Sequence, residues 1–113
     1  MEPLSATIIT FNEEANIERC LNSLVGVVSE IIVVDSHSTD ATLDICRRYG
    51  CRITVRDFEG FGSQRQYATG LTTSRHVLSI DAAEVLSEEL RQAIIVLRRE
   101  GFRHRMYSAT VNN

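Results

Sequence analysis

Acidic and hydroxyl-bearing residues recur at four places in this 113-residue sequence, each at the end of a β-branched, apolar run. Thr10, Asn12, Glu13 and Glu14 follow the first run, Asp35 ends the second, Asp57 follows the third, and Asp81 ends the fourth with Glu84 beyond. Carboxylates converging on one crevice suit a hard cation with oxygen ligands, Mg2+ or Mn2+, and through it a diphosphate. Asp35 has an alternative task, a hydrogen bond to a ribose or base edge, as acids make in dinucleotide-binding folds. The plainer reading of the same residues is that loops are polar and that an acid at a strand end caps the next turn. Glu13 reads equally well as a first-turn acid favoured by the helix dipole.

Other chemistries lack their signatures. There is no G-x-G-x-x-G after the first run, no phosphate-binding G-x-x-x-x-G-K-[ST] and no G-x-S-x-G. Ser36, Ser38 and Thr39 therefore read as turn and cap residues. His37, His76 and His104 share no ligand spacing. All twelve basic residues are Arg. A phosphoacceptor receiver domain, which carries a Lys at its site, is thereby disfavoured.

The elements that must position these groups alternate. Leu4 to Thr10 reads as a first strand, and Ile17, Cys20, Leu21, Leu24 and Val25 form one stripe of a helix over about 13–25. Residues 30–35 are a continuous apolar run ending in Asp35, which suits a central parallel strand. A helix over 41–49 stops at Gly50, a strand follows over 52–55, and 58–62 reads as a loop. Gln64, Tyr67, Ala68 and Leu71 make a third helical stripe, and 77–81 a fourth strand. Ser87 caps a last helix with Leu90, Ala93, Ile94 and Leu97 inward and Gly101 at its end; 106–111 reads as a fifth strand. This order predicts an α/β fold of three layers, a mostly parallel sheet with helices on both faces. Ligands of such sheets bind outside the carboxyl ends of the strands, where the polar residues collect.

Composition sets the outer bounds. With 43% hydrophobic and 24% charged residues, six Gly and one Pro, the chain is one ordinary globular domain. No apolar run exceeds five residues, against the ~20 of a membrane-spanning helix. The opening Met-Glu-Pro-Leu has neither part of a secretory signal, so the expected compartment is the cytoplasm. A net charge of −3 without Lys argues against general nucleic-acid binding. Arg91, Arg98, Arg99, Arg103 and Arg105 concentrate positive charge at the C-terminal end, which reads as a solvated helix terminus. Cys20, Cys46 and Cys51 contain no C-x-x-C pair and read as reduced thiols, Cys20 as a small core hydrophobe.

Four segments in order carry a more specific signal. Ala6-Thr-Ile-Ile-Thr-Phe-Asn-Glu-Glu-Ala-Asn-Ile17 and Glu30-Ile-Ile-Val-Val-Asp-Ser-His-Ser-Thr-Asp-Ala-Thr42 resemble the opening motifs of family 2 glycosyltransferases of the GT-A fold. Phe61-Gly-Ser-Gln-Arg-Gln-Tyr-Ala68 and Leu78-Ser-Ile-Asp-Ala-Ala-Glu84 complete the order. The resemblance, nearest to the lipopolysaccharide-core glucosyltransferase branch, runs from about residue 4 to the C-terminus. It implies that residues 1–113 form one nucleotide-sugar-binding domain, the N-terminal part of a longer enzyme. The implied reaction moves a sugar from a nucleotide-diphosphate donor, UDP-glucose, to a glycan or glycolipid acceptor at the bacterial surface. Cytoplasmic placement, peripheral contact with the inner membrane and self-association accompany that expectation. By resemblance Thr10, Asn12 and Glu13 line the nucleotide pocket, Asp35 binds base or ribose and Arg65 approaches the diphosphate. Asp81 is the first acid of a D-x-D motif that holds Mg2+ or Mn2+. Two departures stand out: Ala83 occupies the place of the second acid, which weakens or removes the metal site unless Glu84 substitutes, and no residue after 84 matches the family's catalytic base, so the catalytic residues are unassigned. A truncated or inactive nucleotide-binding module is the competing expectation.

Overall fold

The computed structural model describes residues 1–102. Four strands, β1 (Leu4–Thr10), β2 (Glu30–Asp35), β3 (Arg52–Val55) and β4 (His76–Ser79), alternate with four helices, α1 (Ile17–Leu24), α2 (Thr42–Arg48), α3 (Phe61–Gly70) and α4 (Glu88–Arg99). The strands form one sheet in the order β3-β2-β1-β4, and every pairing is parallel. The expected fifth strand over 106–111 lies outside the described residues, as do Arg103, His104 and Arg105.

Side chains alternate across a strand, so each strand divides its residues between two faces. Leu4, Ala6 and Ile8 of β1 and Ile31 and Val33 of β2 face one side and pack with Ile17, Cys20, Leu21 and Leu24 of α1, Ile45 and Cys46 of α2 and Ile94 of α4. On the opposite face, Ser5, Thr7, Ile32 and Val34 are buried where α3 lies against β1 and β2. Burying β2 on both sides accounts for its unbroken apolar run.

Several sequence expectations are corrected. The first helix begins at Ile17 rather than Glu13, because residues 13–16 form a turn in which the Asn16 and Ile17 amides both bond the Glu13 carbonyl. Val25 leaves the stripe and is 53% exposed. Phe61 belongs to a helix and not to the preceding loop. Tyr67 turns outward beneath Arg56, whose guanidinium sits 4.3 Å from the ring centroid, and Ala93 is exposed. β4 stops at Ser79 because a turn centred on Asp81–Glu84 takes over. Within the basic end, Arg99 is exposed as expected, but Arg98 and Arg91 are not solvated. Arg98 is buried, donating to the Glu2 and Val27 carbonyls and to Ser29 Oγ, and Arg91 reaches the Ser23 and Val25 carbonyls.

Candidate functional site

The carboxyl ends of β1, β2 and β4 open onto a cavity of about 840 Å³. Its walls are Ile9, Thr10, Phe11 and Glu13 after β1, Ser36 after β2, Phe58, Phe61 and Arg65 around the start of α3, and Ser79, Ile80, Asp81 and Glu84 after β4. Of the residues singled out in the sequence, Thr10, Glu13, Arg65 and Asp81 meet here, joined by Glu84. Asn12 and Asp35 are not among the lining residues.

Both are used behind the wall. Asp35 is fully buried, and its carboxylate accepts from Thr10 Oγ1 (2.6 Å), the Ser38 amide (2.8 Å) and Ser38 Oγ (2.6 Å). A buried carboxylate so supplied carries no unmet hydrogen-bonding demand toward the cavity. Asn12 accepts the Thr39 amide at Oδ1 (2.8 Å), and its own amide donates to Ser38 Oγ (2.8 Å). The Glu13 and Glu14 amides donate to Thr42 Oγ1 and Asp40 Oδ2, and the Ala41 amide returns a bond to Glu14 Oε2. The loops after β1 and β2 are thus stitched together by side chains. Desolvation opposes ionisation of Asp40, but bonds from the Thr42 hydroxyl and amide outweigh it and hold the carboxyl below its ordinary range. Asn12 (φ 49°) and His37 (φ 61°) sit in the left-handed region within these loops. Such strained positions persist only where surrounding bonds over-determine them.

The residue that does reach the cavity from β2 is Ser36, one beyond Asp35 and so on the opposite face. The sequence offered this signal only in its parity, and the unbroken apolar run before it concealed which parity mattered. The three phenylalanines were missed as site residues too. Phe11, Phe58 and Phe61 are 57%, 50% and 65% exposed, and Phe58 meets Phe61 edge to face at 5.0 Å. Exposed rings around one cavity provide flat apolar surface for a planar ligand group.

The polar side of the cavity is charged with both signs. Arg65 has no hydrogen-bond or ion-pair partner among the described residues, so its guanidinium is available for paired bonds to phosphate oxygens. Asp81 and Glu84 form a reciprocal turn: the Ala83 amide donates to Asp81 Oδ1 (2.9 Å) and the Asp81 amide to Glu84 Oε1 (2.9 Å). Asp81 Oδ2 and Glu84 Oε2 remain without a hydrogen-bond partner among the described residues. Burial first, then the Asp81 and Glu84 charges, pushes the nearby Cys20 thiol up to about 12, so it stays protonated. No group of three His, Cys, Asp or Glu residues among the described residues makes a closed metal cage. Two free carboxylate oxygens nevertheless fit the way Mg2+ is commonly held, by one or two carboxylates together with substrate phosphates. Glu84, not Ala83, accompanies Asp81 in the cavity; Ala83 lines a separate groove with Arg19 and Arg91. Among the described residues no helix is long and apolar enough to cross a membrane.

Comparison with known proteins places this geometry in a family. A glycosyltransferase of Rickettsia felis is 45% identical over 94 residues, covering 83% of this chain and 33% of the relative. The lipopolysaccharide core biosynthesis glycosyltransferase LpsC of Rhizobium meliloti is 36% identical over 97 residues, covering 81% and 36%. The chain spans about a third of the length of the curated relatives it matches. Among solved structures, S. aureus TarS superposes with a TM-score of 0.70 at 28% identity, over 87% of this chain and 32% of that one. Glucosyl-3-phosphoglycerate synthase of Mycobacterium tuberculosis, solved with Mn2+, UDP-glucose and phosphoglyceric acid, gives 0.64 at 28% identity, over 72% and 33%. The neighbours share the GT-A fold, and residues 5–102 match the family described as Glycosyl transferase family 2. By sequence and by fold alike, the chain belongs to glycosyltransferase family 2.

Proposed function

We propose that this chain forms the donor-binding part of a transferase that moves glucose from UDP-glucose to a bacterial cell-surface glycan such as lipopolysaccharide core. The observation that carries this reading is one cavity holding an unpaired Arg65, two carboxylates with free oxygens and three exposed phenylalanines. Support for the donor comes from the glucosyl-3-phosphoglycerate synthase crystallised with UDP-glucose, and for the acceptor class from LpsC.

In this reading a phenylalanine face takes the base, Arg65 binds the diphosphate, and Asp81 and Glu84 hold the divalent ion. When bound, that ion neutralises charge developing on the departing diphosphate. Arg65 shares that task by directing fixed positive charge at the same oxygens. Thr10 and Asp35 hold the end of β1 against the end of β2 at the cavity wall. No described residue is assigned as the base for the acceptor hydroxyl. Peripheral contact with the inner membrane and self-association through the C-terminal region belong to the same proposal, checked by vesicle flotation and light scattering.

Calorimetry with UDP and UDP-glucose, with and without Mn2+, tests the reading. Binding strengthened by Mn2+ is the expected result, with Arg65→Ala lowering affinity about ten- to a hundredfold as a charge-assisted bond pair is lost. Asp81→Asn should abolish the Mn2+ effect. A chain that binds neither nucleotide overturns the proposal. The second reading, a nucleotide-binding module without transfer, is favoured by the partial commitment of Asp81 and Glu84 to their own turn. Binding of UDP-glucose that is indifferent to Mn2+ would select it.

A further inference from the structure

Gln64 is a fully buried polar side chain on α3, one residue before Arg65. Its Nε2 donates to Ser36 Oγ at 3.1 Å, while its Oε1 is buried without a hydrogen-bond partner among the described residues. A buried amide kept at the expense of an unmet acceptor calls for a reason. Ser36 supplies one. Its backbone amide is already committed to the Thr10 carbonyl (3.0 Å), so the residue is fixed at the cavity wall and only its hydroxyl can turn. A hydroxyl has one hydrogen and two acceptor lone pairs. With one lone pair filled by Gln64, the hydrogen is directed away from Gln64, and Ser36 lines the cavity.

We infer that Gln64 is a positioning residue that fixes the Ser36 hydroxyl as a hydrogen-bond donor into the cavity, where it selects an acceptor oxygen of the nucleoside. This rests on the nucleotide reading of the cavity. An alanine at 36 removes the donor. An ionised carboxylate at 64 accepts but cannot donate, so it would capture the Ser36 hydrogen and turn the hydroxyl's lone pairs toward the ligand. When protonated, the same carboxyl can donate and restore the original polarity. Burial raises the titration of such a carboxyl toward neutral pH, within reach of measurement.

UDP affinity of the 113-residue chain, measured from pH 5 to pH 8 for wild type, Ser36→Ala, Gln64→Glu and the double variant, tests this. Ser36→Ala should bind about tenfold more weakly at every pH, the loss of one hydrogen bond. Gln64→Glu should match wild type at low pH and fall about tenfold as pH rises, and the double variant should lose that pH dependence. With 2′-deoxy-UDP, a Ser36→Ala penalty that vanishes assigns the oxygen to the ribose 2′-hydroxyl, and one that persists assigns it to another oxygen of the nucleoside. Should Gln64→Glu not fold, Gln64→Met serves: it should weaken binding when Ser36 is present and have no effect in Ser36→Ala. A Gln64→Glu profile parallel to wild type, or one that strengthens with pH, overturns the inference, as does equal binding by Gln64→Met and wild type. A wild-type chain that binds no UDP instead overturns the nucleotide reading, and this inference with it.

Discussion

The two ends of the sheet are built on opposite principles. At the amino end, two charged groups, Glu30 and Arg98, are saturated. Glu30, 16% exposed at its side chain, accepts from Ser5 Oγ, the Thr73 amide and hydroxyl, and Arg52 Nη1, and so joins β2 to β1, β3 and the approach to β4. Arg98 likewise ties α4 to the chain's start through the Glu2 carbonyl, the Val27 carbonyl and Ser29 Oγ. At the carboxyl end, by contrast, Arg65, Asp81 Oδ2, Glu84 Oε2 and Gln64 Oε1 lack partners among the described residues, and three phenylalanines stand exposed. Of these, Gln64 Oε1 is buried and costs stability, whereas Arg65 and Asp81 face solvent at the cavity, open to a ligand under the proposed function.

If that division holds, damage at the amino end should show in stability and spare the cavity. The largest effect is expected from Arg98→Ala, which strands two carbonyls and a hydroxyl in a buried position. A loss of about 2–4 kcal/mol in urea unfolding is expected, with the folded fraction binding UDP as wild type does. Weakened UDP affinity in that fraction would break the comparison. Next in size is a change that crosses the division. Gly60 enters α3 with φ 109° and ψ 154°, a conformation essentially confined to glycine, and its carbonyl accepts the Gln64 amide. Gly60→Ala should cost about 1–3 kcal/mol and also reduce UDP affinity, because it displaces the turn that carries Gln64 and Arg65.

The smallest effect carries a pH signature. Desolvation tends to raise the Glu30 carboxyl, but bonds from Ser5, Thr73 and Arg52 overcome it and hold the group at about 2. A depressed carboxyl contributes stability that is complete above its unfolded value, near 4.5, and is lost as pH falls through about 2. Glu30→Gln should therefore cost about 1–2 kcal/mol at pH 7, with the gap from wild type closing between pH 4.5 and pH 2. Chemical denaturation across that range measures it. A gap that does not change with pH would assign the cost to shape and not to charge.

The first three strands coincide with the sequence reading to the residue, because β-branched runs bounded by polar turns leave little choice of ends. Ser87 capping the Leu90 amide was equally visible, since the cap is local. What escaped was non-local. The late start of α1 depends on Ser38, Asp40 and Thr42 bonding the amides of residues 12–14, more than 25 positions away. The same stitching engages Asp35 and Asn12, which are hydrogen-bonded behind the cavity lining. Charge on a terminal helical turn usually is solvated, so the sequence alone points Arg98 to solvent. Nothing in a single sequence reveals that the carbonyls of Glu2 and Val27 wait beside it.

Placing β1 between β2 and β4 also has a consequence in time. Leu4 pairs with His76, a partner 72 positions later in the chain. On a ribosome adding roughly 5–20 residues per second, the β4 side of β1 stays unpaired for on the order of 4–14 s after its own synthesis. The residues that bridge this interval at the strand ends, Ser29 bonding the Leu4 amide and Glu30 bonding Ser5, are made early. A nascent chain of this topology therefore emerges with three of its four strands and an open seam, and its yield in a cell depends on how well that seam is shielded until β4 arrives.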